Sequence, residues 1–254
     1  MRYKIILSYN GATFSGWQIQ NNAETVQGTL EKALTTLLRQ RIEVVGAGRT
    51  DTGVNAINYV AHFDAPEILD TAALVCKLNA ITPAGIAVCS AERVADDFHA
   101  RFSATSRRYE YFIHSKKDPF IDKFSWHCRY RLDLERMQRA CELLPGVHDC
   151  SCFEKKGSDN TTSICDIKYA RWDEITSPSG TRQLHFTIEA NRFLRNMVRA
   201  VVGTMVDIGR GVREPEYITT LLSGGSRSDA GQSVPAHGLF LTKVEYPPHG
   251  NQKI

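Results

Sequence analysis

Hydrophobic and polar positions along the chain switch between two periods. The run Tyr3-Lys4-Ile5-Ile6-Leu7-Ser8-Tyr9 reads as a strand closed by the turn signal Asn10-Gly11. Val26, Leu30, Ala33, Leu34, Leu37 and Leu38 then recur at helical spacing and predict a helix over 25–39 that covers a sheet. Strands are predicted over 42–45 and 58–63, a helix over 71–79 ended by Thr82-Pro83-Ala84-Gly85, and a strand over 86–94. Strand, helix, strand, strand, helix, strand is the order of a ferredoxin-like unit, with antiparallel strands and both helices on one face.

After a linker-like passage at 98–104, Arg107-Arg108-Tyr109-Glu110-Tyr111-Phe112-Ile113 reads as the strand that opens a second half. Arg107, Tyr109 and Tyr111 alternate onto one face of it. A helix over 132–144, strands over 163–172 and 183–190, a long helix over 191–208, a short helix over 215–222 and a last strand over 239–244 complete the pattern. The expected class is α+β, with domains at 1–104 and 105–254, the second repeating the strand and helix content of the first without any residue-level repeat.

Composition narrows the function. With 42% hydrophobic and 23% charged residues over 254 positions, the chain matches a soluble globular protein, and no stretch has the apolar length to span a bilayer. A cytoplasmic location is expected, since Met1-Arg2 runs into a strand pattern and not into a signal peptide. Seven scattered cysteines, an odd number, point to reduced thiols. Cys150-Ser151-Cys152 beside His148 lacks a second pair at zinc spacing, so it reads as small apolar side chains near a loop surface, and no metal is expected.

The net charge of +3 is mild, but its distribution is uneven. Eight Lys or Arg face three acids between 101 and 131, and five Arg face Asp207 alone between 191 and 213. Two separated basic stretches in a balanced chain suggest one positive surface assembled by folding, as a nucleic-acid groove requires. A solvated basic face is the bland alternative. On the predicted 191–208 helix, Arg192, Arg195 and Arg199 fall within about 60° of one another. Arg199 stands where that stripe turns from wet to buried and wants an anionic partner, whether substrate or structural carboxylate.

The densest chemistry lies in Gly46-Ala47-Gly48-Arg49-Thr50-Asp51-Thr52-Gly53-Val54-Asn55-Ala56, a connection between two predicted strands. Its glycines allow positive φ and close approach, and Arg49 and Asp51 can project on the same side. Read alone, this is equally a turn in which Thr50 and Asp51 cap their own backbone and Arg49 neutralises Asp51. The loop Phe14-Ser15-Gly16-Trp17-Gln18 mixes aromatics with amides and can stack on bases or pack into the core. Tyr109, flanked by Arg107 and Arg108, is a stacking platform or a core aromatic.

Gly48-Arg49-Thr50-Asp51-Thr52-Gly53-Val54, Asp97-Phe98-His99-Ala100-Arg101-Phe102-Ser103-Ala104, Arg107-Arg108-Tyr109 and Asn191-Arg192-Phe193-Leu194-Arg195-Asn196-Met197-Val198-Arg199, taken in order, resemble the tRNA pseudouridine synthase A family. The match runs from Gly16-Trp17-Gln18 to Gly238-Leu239 and departs at Asn55, where the family usually has His. The resemblance implies an isomerase converting uridine to pseudouridine at positions 38, 39 and 40 of the tRNA anticodon arm, without cofactor or metal. It implies a homodimer, and two ferredoxin-like domains joined edge to edge across a positively charged central cleft. It also implies that Asp51 is the catalytic carboxylate and Tyr109 the active-site tyrosine, that Arg49 and Arg199 are the arginines near it, and that Leu239 lines the pocket. Arg107, Arg108, Arg192 and Arg195 are further expected RNA contacts. A pseudouridine synthase for another RNA or position, and a non-catalytic RNA-binding module, are the alternatives. A phosphate-handling enzyme is disfavoured, because neither the Gly46 loop nor Ser223-Gly224-Gly225-Ser226-Arg227 has the P-loop pattern.

Overall fold

The computed structural model describes residues 1–66, 68–155, 157 and 161–247. It is a mixed α+β protein, with five α-helices among the described residues. The chain divides into two compact units, residues 1–107 with 241–254, and residues 108–240.

The first unit holds β1 (Arg2–Tyr9), α1 (Val26–Leu38), β2 (Val44–Gly46), β3 (Asn55–Asp64), α2 (Thr71–Ile81) and β4 (Ile86–Val94). β1 is antiparallel to both β3 and β4, and β2 is antiparallel to β3, which gives the order β4-β1-β3-β2. Alternation sets the core face: Tyr3, Ile5, Leu7 and Tyr9 are buried, whereas Arg2, Lys4, Ile6 and Ser8 are half-exposed. Thr25 caps α1 by accepting from the Gly28 N–H, and Asp70 caps α2 by accepting from the Ala73 N–H. Arg39 ends α1 in the left-handed region, at φ 55°.

The second unit contains β5 (Ser106–His114) from Arg108 onward, β6 (Trp126–His127), α3 (Leu134–Cys141), β7 (Gly146–Asp149), β8 (Ile164–Thr176), β9 (Arg182–Ala190), α4 (Met197–Gly209) and α5 (Tyr217–Leu222). Its strand order is β5-β9-β8-β7, with β6 beside β5. The last strand, β10 (Leu239–Glu245), neighbours β3, and from Leu241 onward it belongs to the first unit, not to the 105–254 segment assigned from sequence. Thr105 donates to the Glu245 carbonyl and Tyr246 Oη to the Ala100 carbonyl, which ties this return into the first unit.

Two expectations are corrected. The helix expected over 191–208 begins only at Met197, because Asn196 sits in the left-handed region at φ 64° and breaks the ladder. Arg192 and Arg195 therefore share no helical face with Arg199. Cys150 and Cys152 lie in the core, not near a loop surface: every cysteine is a free thiol, and only Cys76 and Cys89 are exposed. The short strands β6 and β7 had no visible sequence pattern.

Candidate active-site loops

In the first unit the Asp51 loop bridges β2 and β3. Its backbone is held from outside by several independent contacts. The Trp17 N–H donates to the Thr50 carbonyl at 3.2 Å, and the Thr50 hydroxyl bonds Tyr9 Oη at 2.8 Å in a buried setting. Tyr59 Oη donates to the Gly48 carbonyl and accepts from the Gly48 N–H. At the far side the Gly11 N–H donates to Asn55 Oδ1 at 2.9 Å, and Asn55 itself is 2% exposed. Asn55 is thus a buried brace of the loop.

Close approach explains Gly11, Gly16 and Gly46, whereas a Cβ on Gly48 would meet nothing within 4 Å. A Cβ on Gly16, at φ +87°, would stand 2.5 Å from the Thr50 carbonyl oxygen, and one on Gly11 would stand 2.2 Å from that of Val54. Gly46 admits Trp17 and Tyr59, whose rings stack with centroids 4.2 Å apart. Trp17 and Phe14 are therefore buried in the wall behind the loop, and base stacking by either is ruled out by their 3% and 4% exposure.

On this pinned backbone Asp51 is half-buried and its carbonyl accepts from the Val54 N–H at 3.1 Å, making the turn. Arg49 is exposed, and among the described residues its guanidinium has no hydrogen bond or ion pair. The turn in which Arg49 neutralises Asp51 is therefore not what forms. Arg107 instead donates to the carbonyls of Ala47, Ala104 and Arg101, tying the passage after β4 to the loop's first residues. In that passage Phe98 and Ala100 enter the core with Ala47 and Val60, while Phe102 is 75% exposed with the Arg101 guanidinium 5.5 Å from its ring centroid. An exposed ring beside a cation suits a nucleic acid base.

The second unit carries the other expected residues. Tyr109 is half-buried on β5 and meets Phe193 edge-on, with centroids 5.0 Å apart. Arg199, in the first turn of α4, donates from Nε to the Val234 carbonyl at 2.7 Å, and its own carbonyl accepts from the Val234 N–H. The chain at 230–235 lies so close to α4 that a Cβ on Gly203 would stand 1.8 Å from the Gln232 carbonyl oxygen. Asn196 Nδ2 and Arg227 Nη2 both donate to Ser233 Oγ, fixing the same segment. The neighbouring Tyr111 donates to the Pro235 carbonyl at 2.8 Å, and burial pushes its pKa far up, opposed by the charge of Arg199. Tyr111 is accordingly a neutral donor.

Arg108 pairs with Glu189 at 2.8 Å, Arg192 is half-buried, Arg195 is exposed, and Leu239 is buried at the start of β10. Sequence reasoning missed the braces Tyr9, Gly11, Gly16, Tyr59, Gly203, Arg227 and Ser233. The aromatic and glycine content of 9–17 was the available signal, and it gave no partner.

A family model described as tRNA pseudouridine synthase matches residues 5–103 and 140–247. The chain is 45% identical to the tRNA pseudouridine synthase A of Bacteroides thetaiotaomicron, over 97% of this chain and 91% of that protein. It is 46% identical to the protein of the same name from Parabacteroides distasonis (97% and 96% covered), and 37% identical to that from a Thermoanaerobacter species (95% and 98% covered).

Proposed function

We propose, from the premise that this chain belongs to the tRNA pseudouridine synthase family, that it isomerises uridine to pseudouridine in tRNA, with the side chain of Asp51 as the reacting carboxylate. The observation that carries the role of Asp51 is the rigid mounting of its loop by Tyr9, Gly11, Trp17 and Tyr59. A backbone fixed before substrate arrives holds a charge where the transition state needs it without reorganisation.

The reaction breaks the N1–C1′ bond, turns the uracil and rejoins it through C5. The C5 proton leaves and N1 gains one, so no oxidation state changes and no outside group is consumed. Attack of Asp51 at C1′, attack at C6, and removal of a sugar proton to give a glycal all use the same carboxylate. On the resemblance of their motifs, we take Tyr109, Arg199 and Arg49 to act in the same reaction. Arg199 carries over from the family motif as an arginine of the reaction, and its guanidinium is the kind of cation that favours an ionised carboxylate. Tyr109 would stack on the uracil. Arg49, exposed and without a partner among the described residues, suits the phosphate of an extruded nucleotide or the space that nucleotide leaves.

We read each unit as ferredoxin-like, an assignment supported in the first by the order β4-β1-β3-β2, and the target as positions 38–40 of the anticodon arm, in a homodimer with a basic cleft, as the resemblance implies. A solution mass of a single chain would contradict the dimer. No described helix is long and apolar enough to cross a membrane.

The test is tritium release from C5-labelled uridine in unmodified tRNA. Wild type should release label and Asp51→Asn should bind tRNA without turnover. If the wild type binds but releases nothing, the isomerase reading fails; if Asp51→Asn turns over substantially, Asp51 is not the reacting group.

A further inference from the structure

In the second unit β5 and β6 run parallel, with His114 opposite His127 in the register. Residues opposite each other in this pair share a face, and their imidazoles stack with centroids 5.2 Å apart and an interplanar angle of 12°. The turn that joins the two strands is shaped by Asp118, which accepts from the Phe120 N–H through Oδ1 at 2.9 Å and from the Asp122 N–H through its carbonyl at 3.1 Å. That turn brings Asp122 back over the two rings. One ligand atom from each of His114, Asp122 and His127 lies within 4.8 Å of the others.

His114 supplies the independent observation. It is 1% exposed, and its Nδ1 lies 2.9 Å from Ser125 Oγ, itself buried. Its Nε2 is buried with no hydrogen-bond partner among the described residues, and Asp122 Oδ1 stands 3.8 Å away, beyond hydrogen-bonding reach. A buried acceptor or donor left without a partner is destabilising, so it calls for a ligand. When Nδ1–H donates to Ser125 Oγ, Nε2 presents a bare lone pair, which is the arrangement that orients metal-binding histidines.

We propose that His114 Nε2, Asp122 and His127 form a binding site for a divalent transition-metal ion of the zinc class. Two imidazoles and one carboxylate suit zinc or its neighbours and disfavour magnesium and calcium, which take oxygen ligands. Bonds of about 2 Å in tetrahedral geometry place ligand atoms about 3.3 Å apart, so to close the site the half-exposed His127 ring must turn out of its stack and exposed Asp122 must swing in, both toward the fixed His114. A fourth position would hold water. The ion would staple the 115–125 turn onto the two strands. None of these three residues has a role in the isomerisation proposed above, and the site stands apart from that reading.

The test titrates cobalt(II), then zinc, into the full-length, untagged, chelator-treated chain, reading visible absorption and binding stoichiometry. One equivalent of cobalt should bind with the ligand-field bands of a four-coordinate N/O site and be displaced by zinc. His127→Ala and Asp122→Ala, both on accessible positions, should each weaken binding about 10-fold or more. No uptake by the wild type would overturn the site, and so would binding that survives both substitutions. Thiolate-to-cobalt charge-transfer absorption would also overturn it, by moving the metal to the exposed Cys76 or Cys89.

Discussion

Arg49 and Asp51 are two residues apart and differ in kind: Asp51 is half-buried on a pinned turn, while Arg49 is exposed and its guanidinium has no partner among the described residues. Arg49→Ala should therefore leave unfolding stability within about 0.5 kcal/mol of wild type while lowering turnover on tRNA. Equal loss of stability and turnover, read by denaturant melts beside the tritium assay, would make Arg49 structural. The braces should behave in the opposite sense. Tyr59→Phe removes the hydroxyl shared with Gly48 and should cost about 1 kcal/mol together with turnover, since the loop loses a tether. Gly16→Ala places a Cβ 2.5 Å from the Thr50 carbonyl oxygen at a positive φ, and should cost about 1–3 kcal/mol by the same melts.

At the scale of elements, the start of α4 decides what the basic segment can do. Asn196 in the left-handed region stops the helix from running back to Asn191, so Arg192 and Arg195 are set by an irregular segment and Arg199 by the helix. Asn is among the residues that tolerate that region best, and here its amide also donates to Ser233 Oγ, distant in sequence, at 2.6 Å. Asn196→Ala should lose that bond and pay the left-handed penalty, about 2 kcal/mol together in an equilibrium melt. Asn196→Gly should recover the backbone share. The sequence pattern missed this boundary because Arg192, Arg195 and Arg199 happen to sit at helical spacing while a single residue breaks the geometry between them.

For the whole molecule, stability should depend on pH through His62. It is 4% exposed in the first unit, its Nδ1 accepts from the Ala100 N–H at 3.1 Å, and burial, with Arg2 next, lowers its pKa to about 4. The unfolded chain holds the proton more tightly, near pH 6.5, so the folded state is favoured fully above that value. Stability should fall as pH drops from about 6.5 toward 4, by at most about 3 kcal/mol, and His62→Gln should flatten that part of the profile in urea melts across pH. Binding of tRNA should weaken steeply with salt, as phosphate neutralisation requires.

Period and punctuation made the secondary structure largely legible. The strand at 86–94 and the helix beginning at Thr71 were readable because local alternation, caps and Pro-Gly stops fix them without distant partners. The motifs around Asp51, Tyr109 and Arg199 were legible as residue types at set spacings along the chain. Tertiary structure decided what surrounds them. Whether Trp17 faced a base or the core, whether Arg107 met RNA or three carbonyls, and where β10 returned all depended on contacts between residues far apart in sequence. The site at His114, Asp122 and His127 arose from a strand pairing no pattern foretold, because β6 is two residues long and draws its register from its neighbour alone.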